Sequence, residues 1–163
     1  MRRTIVLKIK AGLSDLSNLK GFCYSYHSMK RDKDDTNGSA IAASYNDRED
    51  GCLFCDTERE PLVMKHELCY AVIDSYPVTE LHTLIIPKRH VASYFDLHQP
   101  EINAMHTTLT QMKLWIEERD TDVTGFNIGI NAGRDAGQSI FHVHMHLIPR
   151  RKGDIDNPQG GVR

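Results

Sequence analysis

The sequence predicts an α+β fold in which a mostly antiparallel sheet carries one long helix on one of its faces. Three observations lead there. Short apolar or alternating runs at 69–74, 82–87, 126–131 and 141–149 read as strands, because successive strand side chains point to opposite faces. Residues 100–119 instead space their apolar side chains as one face of a helix. The resulting order is strand, strand, helix, strand, strand. It shows no internal repeat and fits a sheet with its helix segregated to one side.

The chain opens with "MRRTIVLKIKAGLSDLSNLKGFCYSYHSMKR", which has seven Lys or Arg against one Asp. Ile5, Leu7 and Ile9 alternate as a short strand and Ser14 can cap a short helix, so residues 1–45 read as an N-terminal extension. The alternative is an organelle presequence, basic and acid-poor, that would direct an otherwise cytoplasmic protein to mitochondria. Residues 30–51, charged and turn-rich, read as a linker, and the main domain is expected over 46–163. "CYAVID" (69–74) and "HTLIIP" (82–87) form strands about a turn at Tyr76 and Pro77. The helix opens on Pro100 and Glu101, and its stripe of Ile102, Met105, Leu109, Met112, Trp115 and Ile116 belongs to the core. "FNIGIN" (126–131) alternates as a strand, and the glycine-rich "AGRDAGQS" (132–139) leads to "FHVHMHLIP" (141–149), which Pro149 is expected to end.

Length and charge narrow the function classes. The 163 residues suit one domain with a core and a short appendage. A net charge of −2 argues against a nucleic-acid polymer as partner, while leaving room for a small anion at a local positive site. Cys23, Cys52, Cys55 and Cys69 are too few and too irregular for a secreted disulfide scaffold, so a reducing compartment is expected. No apolar run approaches the roughly 20 residues that span a bilayer, and no membrane partner is expected.

The last strand carries the chemistry. His142, His144 and His146 alternate with Phe141, Val143, Met145 and Leu147, so a regular strand would put all three imidazoles on one face. Partly buried histidines can be merely polar. Three in strict alternation argue against that. Next-but-one side chains lie roughly 7 Å apart, so three in a row converge on a metal only with help from twist. A central nucleophile with flanking imidazoles fits better. Gly129, Gly133 and Gly137 let backbone approach an anion, with Gln138 and Ser139 as uncharged donors. "GCLFC" is a single Cys-x-x-Cys, readable as half of a zinc site, a redox pair or coincidence. Two of the nine histidines would have to complete a tetrahedral metal site.

These residues resemble a known family. His-φ-His-φ-His-φ-φ, with φ apolar, is the signature of the histidine triad (HIT) superfamily, and "HVHMHLI" matches it throughout. "GCLFC", "AVIDSYPVTELHTLIIPKRHV", "FNIGINAGRDAGQSIFHVHMHLIPR" and "GD…NP…GGVR" are also similar to HIT segments in the family order, over about residues 50–163. Residues 1–45 match nothing in that pattern.

The resemblance implies a HIT-like fold, usually homodimeric, that binds a nucleotide and cleaves at its α-phosphate through a nucleotidyl-histidine. It assigns the nucleophile to His144, phosphate contacts to His146, and donation to phosphate or leaving group to Ser139. Asn131 and the backbone at Gly137 and Gln138 would complete the phosphate pocket, and Asp74 would hold the ribose. It also implies a structural zinc on Cys52, Cys55, His90 and His142, with no metal needed for the chemistry. Within the family, "RRKGDIDNP" leans toward cleavage of dinucleoside polyphosphates, with Arg150, Arg151 and Lys152 near the extra phosphates. The alternatives are an adenosine phosphoramidase and a zinc-stabilised nucleotide-binding protein without turnover. His-Met-His in place of His-Pro-His argues against the sugar-nucleotide transferases.

Overall fold

The computed structural model describes residues 45–57, 62–157 and 159. The expected strand at Ile5–Ile9, the helix capped by Ser14 and most of the 30–51 linker lie outside those residues. Five strands form one sheet: β1 (Met64–Lys65), β2 (Cys69–Ile73), β3 (Thr83–Pro87), β4 (Val123–Gly129) and β5 (Met145–Arg151). Their order is β1-β2-β3-β5-β4 and every pairing is antiparallel. Helix α1 (Gln99–Arg119) joins β3 to β4. The architecture is α+β, as expected. No helix among the described residues is long and apolar enough to cross a membrane.

Period two explains why the two sides of this sheet differ. Ala104, Met105, Met112 and Ile116 of α1 pack with Cys69, Ala71, Ile85, Val143 and Leu147 into the main core. The alternate residues Tyr70, Val72, Leu84 and Ile86 face the other way, where Phe54 joins them in a second apolar cluster. β2 and β3 are therefore buried on both sides and read as nearly continuous apolar runs. Leu84 pairs directly with His146, and directly paired residues share a face. His146 thus lies on the side away from α1.

The helix is tied in at both ends. Glu101, fully buried, accepts from the His98 backbone N–H (2.8 Å) and from Arg89 Nε (2.9 Å) and Nη2 (2.6 Å). It closes a capping box that satisfies first-turn N–H groups. At the other end, Asp120 accepts from Arg151 Nε at 2.7 Å. Arg151 Nη1 also donates to Thr79 Oγ1 (2.9 Å), fastening the β2–β3 loop to the end of the helix. In that loop Leu81 adopts φ 64°, a conformation uncommon outside glycine.

Three boundaries differ from the sequence reading. The last strand begins at Met145 rather than 141 and continues past Pro149 to Arg151. Pro149 is tolerated because the β3 ladder ends at Thr83↔Leu147, so beyond Leu147 only β4 lies beside β5. The neighbouring strand is Val123–Gly129 rather than 126–131, with a bulge between Val123 and Gly125. The expected linker also ends early. The Asp47 carbonyl accepts from the His90 N–H at 2.8 Å, so residues 45–51 pack against the domain. β1, at two residues, is too short to show a period.

Candidate active site and metal centre

His144 is the best placed group for attack on an electrophile. Its Nδ1 lies 2.8 Å from the carbonyl oxygen of His142, and a carbonyl only accepts, so Nδ1 carries the proton. In the neutral ring the lone pair is then on Nε2. The ring is nearly buried, packed against Phe54 (centroids 5.2 Å apart) and His146 (5.1 Å), which limits its rotation. It lines a cavity of about 210 Å³ together with Asp74, Tyr76, His82, Asn131, Ser139 and His146.

His146 continues into a chain of polar groups. His82 Nε2 lies 3.0 Å from His146 Nδ1, and His82 Nδ1 lies 3.3 Å from Asp74 Oδ2. Val78 N–H also donates to His82 Nδ1 at 3.3 Å. Burial holds the His82 imidazole below its ordinary range, against the opposing pull of Asp74. Val78 N–H can only donate and the Asp74 carboxylate can only accept, so the two compete for His82 Nδ1. In the tautomer that accepts from Val78, His82 Nε2 donates to His146 Nδ1 and the far nitrogen of His146 carries the proton; in the tautomer that donates to Asp74 the direction reverses.

The glycine-rich connection forms part of the cavity wall through Gly137 and Ser139. Gly133 and Gly137 have φ of 95° and 84°, the left-handed region where glycine is favoured. Gln138 pins this loop. Its Oε1 accepts from Gly133 N–H (2.8 Å), and its Nε2 donates to the carbonyls of Ala92 (2.7 Å) and Ile140 (3.1 Å).

Four metal-type ligands meet behind His144. Nδ1 of His142 lies 3.4 Å from Cys52 Sγ and 3.6 Å from Cys55 Sγ, and Nδ1 of His90 lies 3.4 Å from Cys55 Sγ. All four donor atoms fall within 4.8 Å of one another. In a tetrahedron with metal–sulfur and metal–nitrogen lengths typical of zinc, the sulfur–nitrogen edge is about 3.5 Å. Both imidazoles are oriented from behind, His142 by donating from Nε2 to the Pro87 carbonyl (2.8 Å) and His90 by Glu49 at 2.5 Å. Burial lowers His142 to about 4, so it is neutral with Nδ1 free to act as a ligand. Burial also raises the Cys55 thiol, an effect a bound cation would oppose.

Of the residues singled out from the sequence, Asp74, Asn131, Gly137, Ser139, His144 and His146 line one cavity, and Cys52, Cys55, His90 and His142 form a separate cluster. The Gln138 side chain is absent from the cavity lining because its amide is bound within its own loop. Arg150 and Arg151 are also engaged internally. Arg150 Nε donates to Asn127 (2.6 Å), and Arg151 is held by Asp120 and Thr79. The sequence reading missed His82 as a site residue. It also missed a second cavity, of about 270 Å³, whose walls include Phe54, Tyr70, Val72, Leu84 and Asp74.

Comparison with known proteins agrees with this geometry. The family model described as HIT domain matches residues 57–153. The bis(5'-nucleosyl)-tetraphosphatase (asymmetrical) of Schizosaccharomyces pombe is 38% identical over 89 residues, covering 55% of this chain and 48% of that protein. A HIT family protein from Bacillus anthracis superposes with a TM-score of 0.61 at 32% identity, covering 66% of this chain and 78% of that one. A zinc-bound histidine triad family protein from Mycobacterium smegmatis gives 0.59 at 32% identity, covering 64% and 78%. With the family model matching residues 57–153, more than half of its length, and with His144 and His146 lining one cavity, the chain belongs to the histidine triad (HIT) family.

Proposed function

We propose that the protein is a nucleotide hydrolase that cleaves at the α-phosphate through a covalent nucleotidyl-histidine on His144, with dinucleoside polyphosphates as its substrate class. One observation carries this reading. The lone pair of His144 Nε2 is left free by the bond from Nδ1 to the His142 carbonyl, in a cavity that also holds Ser139, Asn131 and His146. The apolar cavity beside it suits a nucleobase, and Asp74, which lines both cavities, suits the ribose hydroxyls.

In the first step Nε2 forms a bond to the α-phosphorus while the phosphorus–oxygen bond to the leaving group breaks. The electron pair departs with that oxygen, which takes a proton from Ser139 or from the His146 N–H. His144 becomes cationic at that moment, and the His142 carbonyl stabilises its Nδ1–H. Water then adds to phosphorus, giving up a proton that restores the group that protonated the leaving oxygen, and the phosphorus–nitrogen bond breaks with its electron pair returning to Nε2. The nucleoside monophosphate leaves and His144 returns to its neutral form. His146, Ser139 and Asn131 supply donors to the phosphate oxygens as charge develops.

The Cys2His2 cluster fits zinc in donor type and spacing, and the zinc-bound relative supports that assignment. Held by Cys52, Cys55, His90 and His142, the ion would act as a structural tie. A homodimer is part of the same reading, because β4 is an edge strand and its Ile128 is half exposed; mass in solution checks it. A cytoplasmic location suits reduced thiols as ligands. A mitochondrial signal from the tagged full chain would overturn it.

A phosphoramidate substrate is the second reading. It is favoured by the internal pairing of Arg150 and Arg151, which withdraws most of the basic run from extra phosphates. Turnover of diadenosine tetraphosphate and of adenosine 5'-phosphoramidate, measured side by side, decides between the two. Faster cleavage of the tetraphosphate is expected. His144→Ala should abolish turnover of both while still binding AMP, and undiminished turnover in that variant removes the nucleophile assignment.

A further inference from the structure

The Cys-x-x-Cys turn does more than present two sulfurs. Its middle residues, Leu53 and Phe54, and the two that follow, Asp56 and Thr57, line the same apolar cavity that ends at Asp74. The Phe54 ring stands edge-on to two imidazoles, His142 on the metal side (6.0 Å between centroids, 77° between planes) and His144 on the catalytic side (5.2 Å, 63°). Its carbonyl accepts from Tyr70 Oη at 2.6 Å, and Tyr70 lines the cavity as well. One residue therefore touches the metal cluster, the nucleophile and the proposed nucleoside pocket.

Its position depends on its neighbours. The turn closes through Cys55 N–H to the Cys52 carbonyl (3.1 Å), and both sulfurs are directed at the imidazoles of His90 and His142. A metal ion held by those four atoms would fix Phe54 from both sides. Without it the turn would be held by its own backbone bond, by the Glu49 N–H to Cys55 Sγ bond (3.3 Å), by Tyr70 and by the contacts of the sulfurs with ring nitrogens, and the cavity wall would be less constrained.

We propose that Phe54 is a positioning residue that couples the metal centre to the nucleotide site, so that metal binding and nucleotide binding strengthen each other. The inference rests on the nucleotide-binding part of the proposed function. Linkage requires reciprocity: the factor by which metal raises nucleotide affinity equals the factor by which nucleotide raises metal affinity. Coupling of about 10-fold is expected, within the range usual for linked sites.

The test uses the full chain, with zinc and AMP as probes. AMP affinity is measured by calorimetry on zinc-loaded and zinc-depleted protein, and zinc affinity by chelator competition with and without saturating AMP. The same factor should appear in both directions. Phe54→Ala should still bind one metal per chain but bring the factor close to one, and Phe54→Leu, which keeps apolar bulk, should restore part of it. If the depleted protein unfolds, cobalt substitution replaces depletion. AMP should then shift the cobalt–thiolate absorption of the native chain and leave that of Phe54→Ala unchanged. Equal AMP affinity in both metal states of a folded protein, an unmoved cobalt spectrum at AMP saturation, or full coupling in Phe54→Ala overturns the proposal. So does a chain that fails to bind either probe. AMP binding without turnover leaves the coupling measurable and overturns only the hydrolase reading.

Discussion

Replacing Glu101 by glutamine should destabilise the protein more than a surface helix substitution, and the structure indicates by how much. The carboxylate is fully buried and receives three donors: Arg89 Nε (2.9 Å), Arg89 Nη2 (2.6 Å) and the His98 backbone N–H (2.8 Å). Glutamine keeps the volume but removes the charge and turns an NH2 group toward donors. The Arg89 guanidinium, with its side chain only 11% exposed, then lacks its anion. Breaking a buried pair by removing one partner costs about 3–5 kcal/mol. Arg89 still donates to the Asp96 carbonyl (3.0 Å), which favours the lower end. A loss of about 3 kcal/mol lowers the melting temperature by roughly 6–12 °C in a domain of this size. Chemical denaturation of the metal-loaded protein measures it. A loss below about 1 kcal/mol would mean that the pair is not acting as a buried pair and would refute the reasoning. A paired replacement, Arg89→Met with Glu101→Leu, should recover much of the loss, because apolar packing often substitutes for a buried ion pair.

Other perturbations have equally specific outcomes. Burial holds His82 below the ordinary imidazole value of 6.5, so the unfolded chain takes up that proton first as pH falls. The stability contribution of neutral His82 is thus complete above pH 6.5 and is lost as pH falls toward its lower folded value. Denaturation across that range should show a shallower pH dependence in His82→Gln. Arg151→Ala frees Thr79 and the helix-end Asp120 together, so KM for nucleotide should rise more than kcat falls in steady-state assays. Gln138→Ala leaves Gly133 N–H and the carbonyls of Ala92 and Ile140 without their side-chain partner, and should cost about 1–3 kcal/mol in equilibrium unfolding.

The long helix and the two central strands were legible because each repeats its pattern long enough to show a period. Gln99–Arg119 places Met105, Met112 and Ile116 on one face, and Cys69–Ile73 and Thr83–Pro87 are buried on both. The two-residue β1 could not show one. Neither could the role of His82, since a single histidine before an apolar strand carries no signal until the fold brings it beside His146, 64 positions later. The internal use of Arg150 and Arg151 was hidden for a related reason. A basic run looks the same in sequence whether it meets phosphate or, as here, Asn127 and Asp120 from other elements.

The alternating histidines pointed to the site, but the structure shows why a regular strand would not build it. On a regular strand all three imidazoles would face one way. Here His142 and His144 precede β5, and only His146 belongs to the ladder. The segment is held instead by irregular bonds to the last residue of β3 and the chain just beyond it: His142 Nε2 to Pro87, Val143 N–H to the Val91 carbonyl (2.8 Å), and Gln138 Nε2 to Ala92. Freed from strand geometry, the His142 ring joins Cys52, Cys55 and His90, while its carbonyl turns to His144 Nδ1. One residue thus meets the cysteine–histidine cluster through its side chain and the proposed nucleophile through its backbone. Replacing the His142 side chain leaves the carbonyl in place but removes what orients it. His142→Asn should therefore lower both metal content and turnover, whereas Cys52→Ala, more distant from that carbonyl, should reduce metal content more than it slows the chemical step. Equal effects of the two substitutions on single-turnover rate would show that the carbonyl's position does not depend on the ring.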